Sequence, residues 1–327
     1  MRATWMDGAL IGADGEGEGS AGAGRAWGPR AAAFLHGFSL FETMLWHGRG
    51  IFGLDAHLER LLASGKTLGF FSNPPWPKEY LRAAIMETAG AALAGGETAL
   101  RIRLTAARGS YERDGEWHAV VTADPYPAFA AGPGSTPYDS DQPVAWKAVL
   151  SPFCLDPASP LSGHKTGNHL LFQIACQDAL RRGADEAVIL TNEGFVAEGS
   201  RSNIFLVSAG ELVTPPLALG VLPGITRAAI FRVARDLGIT VCEEAFRYED
   251  LQKGEVFFTN SLVGVVPAAP AGDPAFSLFD PAGGRVSGDG PVKAPRTWIR
   301  IRAAYLDLSE RESERFSPSL DSPGAPW

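Results

Sequence analysis

The sequence is poor in the residues that build metal centres and cross-links. Its 3 cysteines, Cys154, Cys176 and Cys242, are widely spaced, and neither a CxxC pair nor a Cys/His cluster occurs. This pattern offers no zinc or other metal site and no disulfide framework, because both need cysteines at short, recurring spacings. We therefore expect free thiols in a reducing compartment.

Long apolar runs and basic blocks are also missing. No apolar run approaches the roughly 20 residues that a membrane span needs, and the amino terminus is acidic and glycine-rich rather than signal-like. The formal net charge of −8 makes nucleic acid a poor partner. No GxGxxG motif stands between a predicted strand and a helical pattern, so a dinucleotide-binding domain is unsupported. We expect a cytoplasmic protein that binds a small molecule, with neither nucleic acid nor membrane as a partner.

The residues that are present are typical of a globular protein, with 45% hydrophobic and 20% charged residues among 327. Short strands interleaved with helices predict a two-domain α+β protein, with a small N-terminal α/β domain and a larger C-terminal mixed α/β domain. The predicted parts are a first domain at 1–129 with a flexible glycine-rich segment at about 13–28, a linker at 130–143, a second domain at 144–306, and a flexible tail at 307–327.

Apolar periodicity locates the main elements. Leucines spaced by three and four predict a helix in DAHLERLLASGKTLGF, and residues 78–95 are predicted as an alanine-rich helix. Further helices are predicted after Lys165, ending near Gly183, and over residues 226–238. Apolar and β-branched runs predict strands in LRIRLTA, HAVVTA, EAVILT, FVAE, NIFLV, ELVT, ITVCEE and EVFFT.

Lys165 is the first candidate for chemistry. It stands between a turn rich in Pro, Gly and Ser and an apolar helical pattern, so we predict it at a helix N-terminus. The positive potential there and partial burial would lower its pKa, and a neutral amine is what Schiff-base chemistry needs. For an isolated lysine, however, a solvated loop position is the more common explanation.

Glu198 is the second candidate, at the predicted end of a strand further along the chain. The carboxylate could simply be solvated. If it is buried, it needs a cationic partner. The protonated pyridine nitrogen of pyridoxal phosphate is such a partner, and the intervening helix, turn and strands could return Glu198 to the side of Lys165.

Several residues could bind an anion. Gly224 and Ile225 precede a helical pattern, where backbone N–H groups and the Thr226 hydroxyl would suit a phosphate. Ser261, after a predicted strand, could add a hydroxyl, and Arg60 in HLERL could bind phosphate through two hydrogen bonds. The alternatives are an ordinary glycine turn with a threonine cap, a turn serine and a solvated arginine.

Taken together, the motifs are more specific. HGFSLFET, HLERL, ARG, HKTGN, GADEAVIL, VAEGSRSNIF, TPPLALGVLPGITR and FFTNSLVGVVP follow one another from about residue 36 to 267. In this order the sequence resembles the fold-type IV pyridoxal-phosphate enzymes, which include branched-chain and D-amino-acid aminotransferases and aminodeoxychorismate lyase. The resemblance implies a homodimer, with pyridoxal 5'-phosphate between the two domains and near the subunit interface.

The resemblance also implies a role for each site residue. Lys165 would carry the cofactor as a Schiff base and later move the proton, and Glu198 would face the pyridine nitrogen. The phosphate positions would be Arg60, Gly224, Ile225 through its backbone N–H, Thr226 and Ser261.

The members of this family differ in their reaction. FETM, TNSLVGVVP and Asn168, three residues after Lys165, favour aminodeoxychorismate lyase, which would give 4-aminobenzoate and pyruvate in folate synthesis. Arg108 and Arg113 are then candidates for the substrate carboxylates, although a charged hairpin tip would explain them equally well. His169, beside HKTGN, is a third substrate candidate, and a packed histidine is its alternative.

Two further functions stay open. One is a transaminase that acts on a D- or branched-chain amino acid with 2-oxoglutarate and uses the same lysine as a proton shuttle. The other is a non-catalytic binding or scaffold protein with the same fold, against which the presence of both Lys165 and Glu198 argues.

Overall fold

The computed structural model describes residues 2–11, 29–48, 50–109, 116–126, 145–270, 279–280, 284–285 and 296–315. The chain divides into two compact units. The first unit is Met1–Pro127 with Lys165–Asn168 and Ser309–Trp327, and the second is Ala128–His164 with His169–Leu308. The short segment Lys165–Asn168 therefore belongs to the first unit, although the sequence predicts it inside the second domain.

The first unit contains a seven-stranded sheet within the described residues, in the order β17-β4-β3-β5-β6-β1-β2. Its strands are β1 Ala3–Met6, β2 Ala9–Ile11, β3 Ser39–His47, β4 Gly50–Ile51, β5 Ala99–Arg108, β6 Trp117–Pro125 and β17 Glu314–Arg315. All of its pairings are antiparallel, and β3 and β5 pair along their whole length, from Ser39 opposite Ala107 to His47 opposite Ala99.

Helices bury one face of this sheet. They are α1 Ala32–His36, α2 Leu54–Thr67 and α3 Lys78–Leu93. Helix α2 begins after Gly53, whose left-handed backbone suits glycine. Leu54, Leu58 and Leu61 are buried at helical spacing and pack in one cluster with the apolar residues of β3 and β5.

The second unit contains an eight-stranded mixed sheet in the described part of the chain, in the order β12-β11-β10-β13-β14-β7-β8-β9. Its strands are β7 Trp146–Leu155, β8 Glu186–Thr191, β9 Val196–Gly199, β10 Asn203–Ser208, β11 Glu211–Thr214, β12 Val241–Glu243, β13 Glu255–Asn260 and β14 Gly264–Pro270. A separate pair consists of β15 Phe279–Asp280 and β16 Gly284–Arg285.

Both faces of this sheet are buried. Val188 and Ile189 are neighbours on β8 but pack in different clusters, as do Val196 and Ala197 on β9, because successive strand residues point to opposite faces. The α-helices in the described part of this unit are α4 Leu170–Arg181, α5 Ile225–Asp236 and α6 Thr297–Glu312, of which α6 ends in the first unit. Within the described ranges no helix is long and apolar enough to cross a membrane.

The predicted α+β class with mixed helices and strands is confirmed, and the described residues form two large sheets and one small one. The sequence interpretation missed several elements, among them β3, β14 and α6, since β3 was considered only as a motif. Helix α6 occupies part of the segment predicted as a tail, because Trp298, Ile301, Tyr305 and Leu308 are buried at helical spacing. The predicted glycine-rich segment at 13–28, the linker at 130–143 and the last part of the tail lie outside the described residues.

Candidate active site

The Lys165 segment pairs with the start of β3 instead of opening a helix. The Phe41 N–H donates to the Lys165 carbonyl at 3.0 Å and the Gly167 N–H donates to the Ser39 carbonyl at 2.8 Å, while Leu40 and Thr166 form a β-bridge. The prediction of Lys165 at a helix N-terminus is therefore wrong: α4 begins at Leu170. The extended pairing brings HKTGN and HGFSLFET together within the first unit.

The Lys165 amine lies over the ring of Phe41, and so does the guanidinium of Arg103. Its Nζ is 4.5 Å from the centroid of the Phe41 ring, and the Arg103 guanidinium carbon is 3.7 Å from the same centroid. Arg103 Nε donates to Thr105 Oγ1 at 3.3 Å, and no carboxylate among the described residues pairs with Arg103. Sequence reasoning missed Arg103. The signal was the alternation in LRIRL, which places Arg101 and Arg103 on one face of β5.

Arg60 is held in a buried ion pair. Its Nε and Nη2 donate to the two carboxylate oxygens of Glu42 at 2.8 and 2.6 Å, and His57 Nδ1 lies 2.7 Å from Glu42 Oε2. The Arg60 side chain is 11% exposed, which argues against a solvated arginine. Glu42 and His57 are further residues that the sequence analysis did not single out, although an acid inside the apolar run SLFETMLW indicates a buried carboxylate.

Burial and the neighbouring charged groups set the protonation states of Glu42 and His57. Burial alone would raise the pKa of Glu42, but the Arg60 guanidinium and the His57 hydrogen bond lower it to about 2. Burial is the largest cause that lowers the pKa of His57, and the charges of Arg60 and Lys165 lower it further. Together they outweigh Glu42, which raises it. His57 is therefore neutral at pH 7 and donates its Nδ1 proton to the ionised Glu42.

Glu198 lies in the second unit, on β9 opposite Ile189 of β8. It is buried, so the solvated interpretation does not hold. The Leu222 N–H donates to Glu198 Oε2 at 3.1 Å. Leu222 in turn precedes Pro223 and Gly224, with which α5 opens.

The start of α5 has the chemistry of a phosphate site. Gly224 is its N-cap and Ile225 its first residue, so the first amides have no partner inside the helix. The Thr226 hydroxyl is buried and no other described residue offers it a hydrogen bond. A buried, unsatisfied hydroxyl beside helix amides fits a phosphate group.

Ser261 and Arg108 lie at the ends of strands. Ser261 begins the turn between β13 and β14. Arg108 ends β5, its guanidinium 5.9 Å from the rings of Phe38 and Trp117. Arg113 lies outside the described residues.

Two residues that the sequence analysis linked to the substrate or the reaction make packing or backbone contacts. His169 is the N-cap residue of α4 and stacks on Phe172 with ring centroids 4.6 Å apart, as expected for a packed histidine. Asn168 Nδ2 donates to the Gly37 carbonyl at 3.3 Å, and Gly37 has a positive φ that suits glycine. The asparagine that favoured the lyase therefore has a structural role.

The comparison with known families decides the class. The family model for amino-transferase class IV matches residues 39–270, which include Arg60, Lys165, Glu198, Thr226 and Ser261. The chain belongs to the class IV aminotransferase family. Class IV aminotransferases use pyridoxal phosphate, and the buried hydroxyl at α5 fits the phosphate of that cofactor.

Relatives and solved structures agree with this family. A Methanocaldococcus jannaschii protein named "Putative branched-chain-amino-acid aminotransferase" is 30% identical over 240 residues, covering 71% of this chain and 78% of its own. The branched-chain aminotransferase structure from Escherichia coli has a TM-score of 0.77 at 24% identity, with 95% and 96% of the two chains covered. A PLP-bound hypothetical aminotransferase from Mycobacterium tuberculosis has a TM-score of 0.73 at 22% identity, with 94% and 98% covered. At these identities, the two structures show the fold alone.

These findings support the aminotransferase alternative better than the aminodeoxychorismate lyase favoured by the sequence motifs. The chain is thus assigned as an enzyme of the aminotransferase class, and its substrate is a matter for proposal.

Proposed function

We propose that the protein transfers the amino group of a branched-chain amino acid to a 2-oxoacid such as 2-oxoglutarate. The observation that carries the proposal is the arrangement at Phe41, where the Lys165 amine and the Arg103 guanidinium lie against one apolar ring. A branched-chain amino acid has matching groups, because its carboxylate suits a guanidinium and its hydrocarbon side chain suits a ring. The M. jannaschii relative supports the same substrate class.

The residues of the first unit would perform the proton transfer and orient the substrate. Pyridoxal phosphate, when bound, supplies an electron sink that makes the α-proton of an amino acid removable. Lys165 Nζ takes up and returns that proton. Arg103 binds the substrate carboxylate, and the ring of Phe41 excludes water from the apolar side chain.

The other predicted residues would hold the cofactor. Thr226 Oγ1 and the amides from Ile225 onward would bind the phosphate, with Gly224 as the N-cap of the helix. Ser261 and Arg60 add a hydroxyl and a charge, and Glu42 fixes the orientation of the Arg60 fork. Glu198 accepts a hydrogen bond from the protonated pyridine nitrogen.

An amino-group transfer assay tests the proposal. Purified protein with pyridoxal phosphate is incubated with 2-oxoglutarate and leucine, isoleucine or valine, each as the L- and the D-isomer, and glutamate is measured. We expect glutamate from the L-branched-chain substrates and none from the Lys165→Ala variant. A parallel reaction with 4-amino-4-deoxychorismate should give no 4-aminobenzoate. Production of 4-aminobenzoate without glutamate would reinstate the lyase.

Arg103 offers a sharper test of the substrate site. Arg103→Met removes the cation and keeps most of the side-chain volume, so the KM for both carboxylate substrates should rise by about tenfold or more. Arg101→Met is the matched control on the same face of β5, because Arg101 instead pairs with Asp124 at 3.1 Å. Equal kinetics for the two variants would remove Arg103 from the substrate site.

We also propose a homodimer, since the resemblance to the family implies one. Sedimentation velocity of the purified protein at micromolar concentration tests it, and a monomer at all concentrations would contradict it.

A further inference from the structure

Asn203 joins two parts of the second unit to which the proposed function assigns different tasks. Its side-chain Nδ2 donates to the Leu222 carbonyl at 2.9 Å, while the Leu222 N–H donates to Glu198 at 3.1 Å. Both polar groups of Leu222 are thus bound, one by the carboxylate and one by the asparagine. The backbone of Leu222 is fixed on both sides, and with it the direction of the N–H that Glu198 accepts.

The same asparagine lies against the start of α5. A Cβ built on Gly224 would come within 2.0 Å of Asn203 Oδ1, so only glycine allows this approach. Gly224 is the N-cap of α5, and the buried Thr226 hydroxyl follows two residues later, unsatisfied by any described residue. The amide of Asn203 therefore contacts the segment from Leu222 to Gly224 at both ends.

Asn203 is itself firmly held. It is buried on β10 and faces Thr259 of β13 in the sheet. The preceding residue, Ser202, donates its hydroxyl to the buried Glu186 at 2.8 Å. A side chain anchored in this way can define the position of a loop, because neither its backbone nor its rotamer is free to follow the loop.

We propose that Asn203 is a positioning residue that couples the pyridine-nitrogen partner, Glu198, to the phosphate-binding start of α5. It acts through Leu222 and Gly224 and touches neither cofactor nor substrate. This inference rests on the proposed function, since it assumes that Glu198 and Thr226 bind the two ends of pyridoxal phosphate.

Two small-molecule probes report separately on the two ends of the proposed cofactor site. Inorganic phosphate reports on the start of α5, and pyridoxal, which lacks the phosphate, reports on the Glu198 side. Binding of each probe to the apoprotein is measured by calorimetry or absorbance. Thr226→Val should weaken phosphate alone and Glu198→Gln should weaken pyridoxal alone. Asn203→Ala should weaken both, each by about tenfold, the loss that one unsatisfied buried carbonyl commonly causes.

Control variants distinguish positioning from general stability. Asn192→Ala removes an exposed asparagine in the same unit, whose Nδ2 donates to Asp156 at 3.3 Å, and should change neither affinity. Asn203→Asp keeps the volume of the side chain but replaces the donor that faces the Leu222 carbonyl, and should behave like Asn203→Ala. Amide hydrogen exchange of the peptide that contains Leu222 should be faster in both Asn203 variants.

Each outcome decides the proposal. Affinities of the Asn203 variants equal to those of Asn192→Ala, or a loss confined to one probe, would overturn the coupling. If neither Asn203 variant folds, as judged by circular dichroism, Asn203 is a folding residue and the proposal is also overturned. Failure of the wild-type protein to bind pyridoxal phosphate at all would instead refute the proposed function, and this inference with it.

Discussion

The two units bury a carboxylate by opposite means. Glu42 in the first unit is bound by the charged guanidinium of Arg60 and by neutral His57. Glu186 in the second unit accepts, among the described residues, only from neutral donors: the amides of Ala187 and Ser200 at 2.9 and 2.8 Å, the Ser200 hydroxyl, and the Ser202 hydroxyl at 2.8 Å. Both side chains are inaccessible to solvent. A buried charge thus needs either a countercharge or several fixed dipoles.

The two ways of burying a carboxylate would serve different purposes in the proposed aminotransferase. The ion pair with Glu42 fixes the orientation of Arg60 and keeps its guanidinium largely buried in the first unit. The neutral network instead fixes a backbone, since Ser200 and Ser202 belong to the turn that follows Glu198 and leads to Asn203. Gly199 is required there because an added Cβ would lie 2.2 Å from Ser202 Oγ.

The largest effect is expected when the charge pair is broken. Glu42→Ala leaves the Arg60 guanidinium without its carboxylate in a buried site, which should lower the free energy of unfolding by about 3–5 kcal/mol. Urea unfolding of the apoprotein, monitored by tryptophan fluorescence, measures it. Glu42→Gln keeps the shape and should lose less. A loss below about 1 kcal/mol for Glu42→Ala would show that the pair contributes little.

The pH dependence of stability should report on the Glu42 charge pair. The folded pKa of Glu42 is lowered from 4.5 to about 2, so its contribution is present above pH 4.5 and is lost as the pH falls towards 2. The shift corresponds to about 3 kcal/mol. The stability difference between wild type and Glu42→Gln should therefore shrink over this interval, and a constant difference would contradict the shift.

His57 should add to this acid sensitivity at higher pH. Its folded pKa is lowered from 6.5, chiefly by burial, so its contribution is present above pH 6.5 and declines as the pH falls below that value. His57→Gln should flatten the stability profile of the apoprotein between pH 6.5 and 4.5. An unchanged slope in His57→Gln would contradict the proposed neutral state.

A smaller effect is expected at Glu186. Glu186→Ala removes the acceptor of four donors, of which the Ser200 amide keeps the Ala187 carbonyl as a second acceptor at 2.9 Å. Because stranded neutral groups cost less than a stranded charge, we expect a loss of about 1–3 kcal/mol. Glu186→Gln keeps one oxygen acceptor and should lose below about 1 kcal/mol. Unfolding by urea measures both, and a loss for Glu186→Ala exceeding that for Glu42→Ala would reverse the comparison.

The sequence predicted local features well and tertiary pairings poorly. The helix in DAHLERLLASGKTLGF was correct because its leucines recur at helical spacing. Lys165 was placed at a helix N-terminus because nothing local reveals that its carbonyl would accept the Phe41 N–H, far away in the sequence. Glu42 and Glu186 were considered only as parts of motifs, although Glu42 lies inside an apolar strand and Glu186 begins one. Such an acid predicts burial but not the partner that compensates it.

Covalent capture of the cofactor tests the central claim most directly. Protein loaded with pyridoxal phosphate is reduced with borohydride, digested and mapped by mass spectrometry, with Lys165→Ala as the control. We expect a phosphopyridoxyl group on the peptide that contains Lys165 and no stable label in the variant. A label on another lysine, or no label on the wild-type protein, would contradict it.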